Sequence, residues 1–188
     1  MFEQVLQAVE AQCKAERIPM LGAEKAKFLA ECVSDAKPHC IVECGTAIGY
    51  SGLWMLRVLK QLGHGRLITL EIDPDRAEQA RANFERAGVA DLVESHIGDA
   101  QELLKTIKTP VDFLLLDNNF DNYFPCFQAI EAQLTSPATL VADNVGIGAE
   151  AMADYLEHVR ERYDSETHWF EVDLPWVKQD AIEVSVYL

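Results

Sequence analysis

Basic residues are scarce in this chain, and their scarcity argues against several classes of partner. The sequence has 16 Lys and Arg against 31 Asp and Glu, which gives a formal charge of -15 at pH 7. Binding to a phosphate backbone depends on clustered Lys and Arg, and no run of basic residues stands out. This balance counts against a protein that works on nucleic acid or on an anionic membrane surface.

Long apolar runs are also missing. No segment approaches the about 18 continuous apolar residues of a membrane span, and residues 1–11 form a charged amphipathic segment rather than a signal peptide. We therefore expect a soluble cytoplasmic protein. With 49% apolar residues, the 188-residue chain suffices for one buried core, so we predict a single domain over 1–188, with N-terminal helices in 1–36 and an α/β core in 39–188.

Metal-ligand and disulfide spacings are absent as well. The five cysteines are odd in number, none has C-x-x-C spacing, and no two histidines are spaced as metal ligands. Zinc sites and disulfide frameworks are therefore not expected. Cys40 and Cys44 fall in one apolar run, and we interpret them as buried thiols.

The segment 39–51 joins a short apolar strand to a glycine-bearing turn and then to a helix. Residues 40–44 have the length and composition of a buried strand, and Gly45 and Gly49 permit a tight turn with close approach of a ligand. Glu43 is an acid inside the apolar strand, where burial without a partner is costly. Either a neighbouring hydroxyl or amide satisfies it, or it helps to hold a cationic ligand; both interpretations stay open.

Strand-like and helix-like segments alternate along most of the chain. We predict helices at 2–17, 23–36, 50–62, 74–88, 100–107, 123–134 and 149–163, and strands at 40–44, 66–71, 93–97, 111–116, 139–142, 169–172 and 181–187. The alternation indicates an α/β fold with a mainly parallel sheet and helices on both faces. The last two strands have no helix between them, so one of them should run antiparallel in a C-terminal hairpin.

An acidic residue lies at or near the carboxyl end of each of the five apolar strands: Glu43, Glu71, Asp99, Asp117 and Asp143. In an open parallel sheet those ends face a common crevice, where ligands bind. Acids that converge there raise one another's pKa values unless a cation or several donors compensate them. We therefore predict a ligand site along this edge.

The acids divide into two groups by chemistry. The glycine-bearing turn after residue 44 suits a nucleotide-like ligand. For such a ligand, Glu71 is placed to bind both hydroxyls of a ribose with its two carboxylate oxygens, and Asp99, with Ala100, lies beside the position expected for an adenine ring. Asp117, Asp143 and Asn144 supply only oxygen ligands, which suit a hard cation such as Mg²⁺ or Ca²⁺.

Two nucleotide-binding patterns compete for the turn after the first strand. A dinucleotide turn, G-x-G-x-x-G, fits poorly, because Ala47 and Tyr50 stand at its second and third glycine positions. The run instead resembles the motif E-x-G-x-G-x-G-Y-S of S-adenosylmethionine-dependent methyltransferases, with Ala47 in place of the middle glycine.

Together with the segments 67–73, 111–117, 122–123 and 140–145, this run makes the chain similar, from about residue 20 onward, to the catechol O-methyltransferase-like family of metal-dependent O-methyltransferases. The resemblance implies a Rossmann-like class I methyltransferase fold with a seven-stranded sheet, S-adenosylmethionine as cofactor, and a divalent cation, Mg²⁺, held by Asp117, Asp143 and Asn144. The predicted cofactor-binding residues are Met20, Leu21, Gly22, Glu43, Gly45, Thr46, Gly49, Tyr50, Ser51, Glu71, Ile72, Asp99, Ala100 and Asp117.

The chain departs from the family pattern at the expected general base. Many members have a lysine three residues after the first metal aspartate, whereas this chain has Phe120, which cannot accept a proton. Our hypothesis is that metal activation of the acceptor, through Asp117, suffices, with water, Lys178 or another loop group receiving the proton. Lys178 can equally be a solvated loop residue, and Pro175 and Trp176 either wall the acceptor pocket or pack under the hairpin.

A second departure is Ser136-Pro137-Ala138, which replaces the usual Pro-Gly-Gly turn before the fifth strand and is expected to change only that turn. The predicted function is methylation of a small hydroxylated acceptor, with aromatic hydroxyl compounds included. The alternatives are a methyltransferase for modified uridine in tRNA, a non-catalytic S-adenosylmethionine-binding protein, and a nicotinamide-dependent dehydrogenase, which the turn spacing disfavours. A homodimer stays open, because the amphipathic N-terminal helix can pack across a twofold axis.

Overall fold

The computed structural model describes residues 1–174 and 177–187. In chain order its helices and strands are α1 (Phe2–Glu16), α2 (Ala23–Ala36), β1 (Cys40–Cys44), α3 (Tyr50–Leu62), β2 (Arg66–Glu71), α4 (Pro74–Ala87), β3 (Val93–Ile97), α5 (Ala100–Leu104), β4 (Val111–Leu116), α6 (Tyr123–Ile130), β5 (Leu134–Ala142), α7 (Ala153–Arg162), β6 (Asp164–Leu174) and β7 (Val177–Tyr187). Among these helices none is long and apolar enough to cross a membrane.

The strands form one seven-stranded sheet in the order β3-β2-β1-β4-β5-β7-β6. β7 runs antiparallel to both of its neighbours, β5 and β6, and the other neighbouring strands pair in parallel. The predicted fold class and the antiparallel C-terminal hairpin are therefore confirmed. From β1 the sheet extends through β2 to β3 on one side, and from β4 it extends through β5 on the other side. The topological switch point, where such folds bind ligands, therefore lies between β1 and β4.

Both faces of the sheet are covered, which explains why its central strands are continuous apolar runs. Alternate residues of β1 face opposite sides: Ile41 packs with the core under α1 to α4, and Val42 packs with the core under α5 to α7. Phe113 and Leu114 divide in the same way along β4. A ligand site is therefore expected at the remaining edge of the sheet, where loops follow the carboxyl ends of these strands.

The N-terminal helix uses its apolar face within the chain. Val5, Leu6, Val9 and Cys13 are buried, and α1 lies against α3 and α4. The apolar face of α1 is thus covered by α3 and α4 of the same chain. It is therefore not exposed for packing against a second copy across a twofold axis.

Several predicted boundaries were wrong around β5. The helix predicted over 123–134 ends at Ile130 and passes through a short 3-10 turn directly into β5, which begins at Leu134 rather than at residue 139. Pro137 therefore lies inside the strand. The pairing register with β4 shifts between Val111 and Phe113, at the level where this proline lacks an N–H to donate.

Further corrections concern α5, which ends at Leu104 rather than near residue 107, and the C-terminal third of the chain. α7 begins at Ala153 rather than at residue 149, because residues 144–152 form successive turns in which Gly148 N donates to Asn144 O and Met152 N donates to Gly148 O. The two terminal strands are each 11 residues long, against the shorter runs that apolar patterning predicted. Their additional residues are largely polar and carry no apolar signal.

Candidate active site

The backbone pairing of the central strands continues one residue past their ends and gathers the predicted acids at one edge. Gly45 N donates to Leu70 O at 2.9 Å, Asp117 N donates to Cys44 O at 2.9 Å, and Asp143 N donates to Leu116 O at 3.0 Å. These bonds fix the start of each loop relative to the neighbouring strand. Glu71, Asp117 and Asp143 therefore leave the sheet at the same level.

The turn after β1 approaches β4 more closely than any side chain would allow. Gly45 has φ 100°, and a Cβ at this position would overlap the carbonyl oxygen of Asp117. Ala47, which replaces the middle glycine of the motif, also has a positive φ, 44°. A left-handed conformation costs a non-glycine residue roughly 1–2 kcal/mol, which explains why glycine is usual in this turn.

The carboxylate of Glu71 is held by two backbone amides from different loops. Ala47 N donates to Oε2 at 2.7 Å, and Asp73 N donates to Oε1 at 3.0 Å. Each oxygen keeps acceptor capacity for a further hydrogen bond. Beside it, the side chain of Ile72 is 68% exposed, so an apolar surface adjoins an oriented carboxylate.

Glu43 is fully buried and satisfied by hydroxyl groups. Ser51 Oγ donates to Oε1 at 2.5 Å and Thr69 Oγ1 donates to Oε2 at 2.6 Å. Because the Thr69 proton is used in this way, Thr46 Oγ1 must donate to Thr69 Oγ1, 2.5 Å away. Burial raises the pKa of Glu43 to about 7 despite these bonds. Of the two interpretations from the sequence, the neighbouring hydroxyl partners are present.

A buried lysine that the sequence analysis did not single out lies between two aspartates. Lys25 of α2 is 4% exposed. Its Nζ lies 2.7 Å from Asp143 Oδ1 and 2.5 Å from Asp180 Oδ2. The signal was available in principle, because Lys25 occupies the buried face of α2 with Ala26 and Leu29. A lysine on an apolar stripe requires a buried acid.

Asp180 of β7 was missed for a similar reason. It points to the same face of the strand as buried Ile182, two residues on, and is 1% exposed. Its Oδ2 also accepts from Asn144 Nδ2 at 2.7 Å, and its Oδ1 accepts from Ile147 N at 3.0 Å. Burial alone would raise its pKa, but the hydrogen bonds from Lys25 and Asn144 hold the pKa of Asp180 below its ordinary value.

Asp117 and Asp143 behave differently from Asp180. Burial raises the pKa of Asp117 well above its usual range, and the charge of Asp143 adds to this effect. Burial also raises the pKa of Asp143, although Lys25 opposes the shift. With all groups ionised, three aspartates face one lysine, which leaves two negative charges for a cation to balance.

An apolar wall adjoins these oxygens. A Cβ on Gly148 would lie 2.7 Å from Met152 Cε, 3.0 Å from the ring of Phe120 and 3.1 Å from Asn144 O. The ring of Phe120, at the position of the family's lysine, therefore packs over the loop that follows Asn144. Next along the chain, the hydroxyl of Tyr123 is buried without a hydrogen-bond partner among residues 1–174 and 177–187.

The remaining predicted site residues occupy varied positions. Asp99 caps α5, with Oδ1 accepting from Gln101 N at 2.8 Å and from Glu102 N at 3.4 Å, and Ala100 begins that helix. The side chain of Leu21 is buried in the core, and the Tyr50 hydroxyl lies 3.4 Å from Glu10 of α1.

The N-terminal loop and the hairpin complete the placement. Met20 is half-buried, Gly22 caps α2 with φ 79°, and Gly49 has φ 92° at the start of α3. Lys178 is exposed and lines an open cleft with Gly146 and Trp169. Pro175 and Trp176 lie outside the described residues.

Comparisons with known proteins bear directly on this arrangement. A family model described as a methyltransferase domain matches residues 42–145. Catechol O-methyltransferase B of Danio rerio is 32% identical over 99% of this chain and 72% of its own length. Catechol O-methyltransferase of Mycobacterium tuberculosis is 34% identical over 79% of this chain and 68% of its own length.

Among solved structures, the O-methyltransferase TomG from Streptomyces achromogenes, in complex with SAM, superposes with a TM-score of 0.82. It is 25% identical, and the match covers 97% of this chain and 88% of that one.

The close approach at Gly45 predicts a steric cost for any side chain there. Gly45→Ala should lower the free energy of unfolding by at least about 2 kcal/mol, because left-handed strain adds to an overpacked backbone contact. Gly63→Ala is the matched control, since Gly63 has φ 74° but nothing within 4 Å of the position that an added methyl group would occupy. Equal losses for the two variants, measured by urea denaturation, would contradict a special contact at Gly45.

The buried Glu43 predicts a pH dependence of stability. Because its folded-state pKa is raised to about 7, its contribution is fully present below the unfolded pKa, about 4.3, and is lost as pH rises through 7. Glu43→Gln cannot titrate, so its stability should fall less steeply between pH 5 and 7, as urea denaturation would measure. Identical slopes in the two proteins would remove Glu43 as the titrating group.

Proposed function

The chain belongs to the methyltransferase-domain family, among relatives of the catechol O-methyltransferases, and on that premise we propose that it methylates a hydroxyl of a small aromatic acceptor with the help of a divalent cation. The resemblance seen in the sequence is confirmed, and the chain is an S-adenosylmethionine-dependent O-methyltransferase. One observation supports the finer proposal most. The Glu71 carboxylate, which accepts two backbone hydrogen bonds, lies at the same edge of the sheet as the side-chain oxygens of Asp117, Asp143 and Asn144.

Glu71 is proposed to bind the ribose of the cofactor. Its two oxygens each accept one backbone hydrogen bond, which orients the carboxylate and leaves an acceptor on each oxygen for the two ribose hydroxyls. We assign the adenine to the surface between exposed Ile72 and the start of α5 at Ala100. Asp99 Oδ1 caps that helix, so Oδ2 is the oxygen available to an exocyclic amine.

The methionine part of the cofactor is assigned to the turn after β1 and to the loop before α2. Here the backbone has the larger role, because the side chain of Leu21 is in the core and the Tyr50 hydroxyl is directed toward α1. Met20, Gly22, Gly45 and Gly49 contribute backbone. Thr46 and Ser51 are engaged in the hydrogen-bond network of Glu43, so we propose that they support the turn as well as line it.

The oxygen atoms near Asp117 fit a divalent cation. Asp143 uses Oδ1 for Lys25 and keeps Oδ2, and Asn144 donates its amide hydrogen to Asp180 and keeps Oδ1. Asp117 accepts no side-chain hydrogen bond within 1–172 and 177–187. An all-oxygen set with two uncompensated negative charges suits Mg²⁺. When bound, such an ion lowers the pKa of a coordinated acceptor hydroxyl.

The protein's own contribution is alignment and the exclusion of water on one side. Methyl transfer from a sulfonium is an in-line displacement, so holding donor and acceptor in line lowers the barrier. Phe120 and Met152 form an apolar wall beside Asn144 that an aromatic ring can contact. Because Phe120 cannot accept a proton, we propose that the acceptor proton leaves to water through the open cleft at the hairpin, which exposed Lys178 lines.

The alternatives are not favoured by these findings. The relatives named above are O-methyltransferases, which speaks against a dehydrogenase or a protein without turnover. A formal charge of -15 provides no support for a tRNA acceptor. Cytoplasmic location and a homodimer stay predictions.

The proposal predicts metal-dependent transfer to a catechol. Purified protein with methyl-labelled S-adenosylmethionine and catechol should transfer label, and removal of divalent ions by EDTA should lower the rate about a hundredfold, a loss typical of removing one preorganised electrostatic stabiliser. Added Mg²⁺ should restore the rate. Full transfer after rigorous chelation would remove the metal role, and no transfer to any hydroxylated aromatic would contradict the acceptor class.

Phe120 predicts an unusual pH–rate profile. Without a base at this position, turnover should rise with pH as the acceptor ionises. Phe120→Lys should raise kcat/KM at pH 6.5 by about tenfold, less than the roughly hundredfold low end of general-base catalysis, because only a small fraction of a lysine is neutral at that pH. The two profiles should converge near pH 9. Phe120→Met, which keeps an apolar side chain, is the control and should retain the wild-type profile. Superimposable profiles for the lysine variant and the wild type would show that the missing base does not limit the rate.

A further inference from the structure

The ion pair of Lys25 and Asp180 lies behind the proposed cation ligands and does not itself belong to the predicted site. It connects three elements that are distant in sequence, since Lys25 is on α2, Asp180 is on β7, and Asp143 follows β5. The two charged side chains are 4% and 1% exposed. Burying such charges is costly, so a purely local stabilising role is a weak explanation for them.

Asp180 determines which way the side-chain amide of Asn144 points. An asparagine amide can rotate by half a turn and exchange its oxygen and nitrogen, and its neighbours decide the orientation. Here Asp180 Oδ2, an acceptor only, lies 2.7 Å from Asn144 Nδ2. The nitrogen is thereby held on the Asp180 side, and the oxygen is left for a cation.

Asp180 also fixes the backbone that carries Asn144. Asn144 has φ 57°, an uncommon value for a residue with a side chain. Asp180 Oδ1 accepts from Ile147 N at 3.0 Å, and the adjacent strand residue Ala181 accepts from Val145 N at 3.0 Å. The loop from Asn144 to Ile147 is thus attached to β7 by two hydrogen bonds, one to the side chain of Asp180 and one to the backbone of Ala181.

Lys25 also divides its positive charge between two carboxylates. The ammonium group of Lys25 contacts both Asp143 and Asp180, at 2.7 and 2.5 Å. If Asp180 were neutral, Lys25 would compensate Asp143 alone, and the net charge around the ligand oxygens would fall from -2 to -1. Asp180 therefore keeps the surroundings of the ligand oxygens more negative, while Lys25 holds the carboxylates of Asp143 and Asp180 in place.

We propose that Asp180, together with Lys25, is a positioning pair that sets the affinity of this enzyme for its divalent cation, by orienting the oxygen of Asn144 and by fixing the place of the Asp143 carboxylate through Lys25. The inference rests on the cation role proposed above. It adds two residues that contact the proposed cation ligands Asp143 and Asn144. Partners of this kind behind metal ligands typically change metal affinity by 10–100-fold.

The direct test is Asp180→Asn with Mn²⁺ as the probe, measured by electron paramagnetic resonance on the full chain. Mn²⁺ should bind about 10–100-fold more weakly than to the wild type, while S-adenosylmethionine, titrated by calorimetry without metal, should bind within about twofold. At saturating Mg²⁺, kcat should return toward the wild-type value, so the defect should appear in the metal constant. A general structural defect would lower cofactor affinity and kcat together.

Glu183→Gln is the matched control. Glu183 is a buried acid on the same strand, but it pairs with Arg160 and Thr167 rather than with Lys25. Its loss should leave Mn²⁺ affinity unchanged.

A second variant tests orientation without changing the net charge, and it keeps the test decisive if Asp180→Asn does not fold. Lys25→Met combined with Asp180→Leu removes one positive and one negative charge, so the site keeps a net charge of -2, and replacing a buried ion pair by apolar residues is often neutral or stabilising. Mn²⁺ affinity should still fall about tenfold, because Asn144 loses its anchor.

The outcomes separate the two proposals. If the wild type binds Mn²⁺ and both variants bind it equally well, the positioning role is wrong and the proposed function is unaffected. If the wild type binds no Mn²⁺, with or without S-adenosylmethionine, the cation role and this inference are both overturned.

Discussion

The site depends on backbone hydrogen bonds that continue just beyond the ends of the central strands. Asp117 and Asp143 each begin a loop with an N–H bonded to the adjacent strand, and Gly45 is anchored in the same way to β2. Because of these bonds, the order of the strands in the sheet determines the order in which the functional groups lie along its edge. Without these bonds the loops could move, and the carboxylates would have no fixed positions. Because the bonds hold the carboxylates close together, their mutual repulsion has to be compensated by nearby groups.

The local compensation takes two forms. Glu71 and Glu43 are satisfied by neutral donors, amides for the first and hydroxyls for the second. Asp143 and Asp180 are instead compensated by a single buried ammonium group. Among the side chains of 1–172 and 177–187, none donates a hydrogen bond to Asp117; burial raises its pKa, and the charge of Lys25 opposes the shift. The acids at one sheet edge thus have different electrostatic environments, which is the condition for giving chemically similar side chains different roles.

Much of the fold and part of the site could be predicted from the sequence, for identifiable reasons. Strand cores such as β4 are continuous apolar runs, and their carboxyl ends locate acids without knowledge of the loops. The position of Lys25 on the apolar face of α2 could have identified a buried lysine, but its pairing with Asp180 was out of reach, because the two residues are 155 positions apart and a single sequence carries no signal that pairs them. Pro137 misled the prediction because a proline in a parallel strand is unusual, and the register shift that accommodates it is a tertiary effect.

The placement of β7 between β5 and β6 has a consequence for biosynthesis. A ribosome releases β6 before β7, yet β7 must insert between β6 and the rest of the sheet. Until it does so, Lys25 and Asn144 have already emerged but lack Asp180, and two sheet edges stand open to other nascent chains. The proposed cation site is therefore complete only after β7 has been synthesised and inserted, whereas the proposed nucleoside-binding turn between β1 and α3 has its residues much earlier.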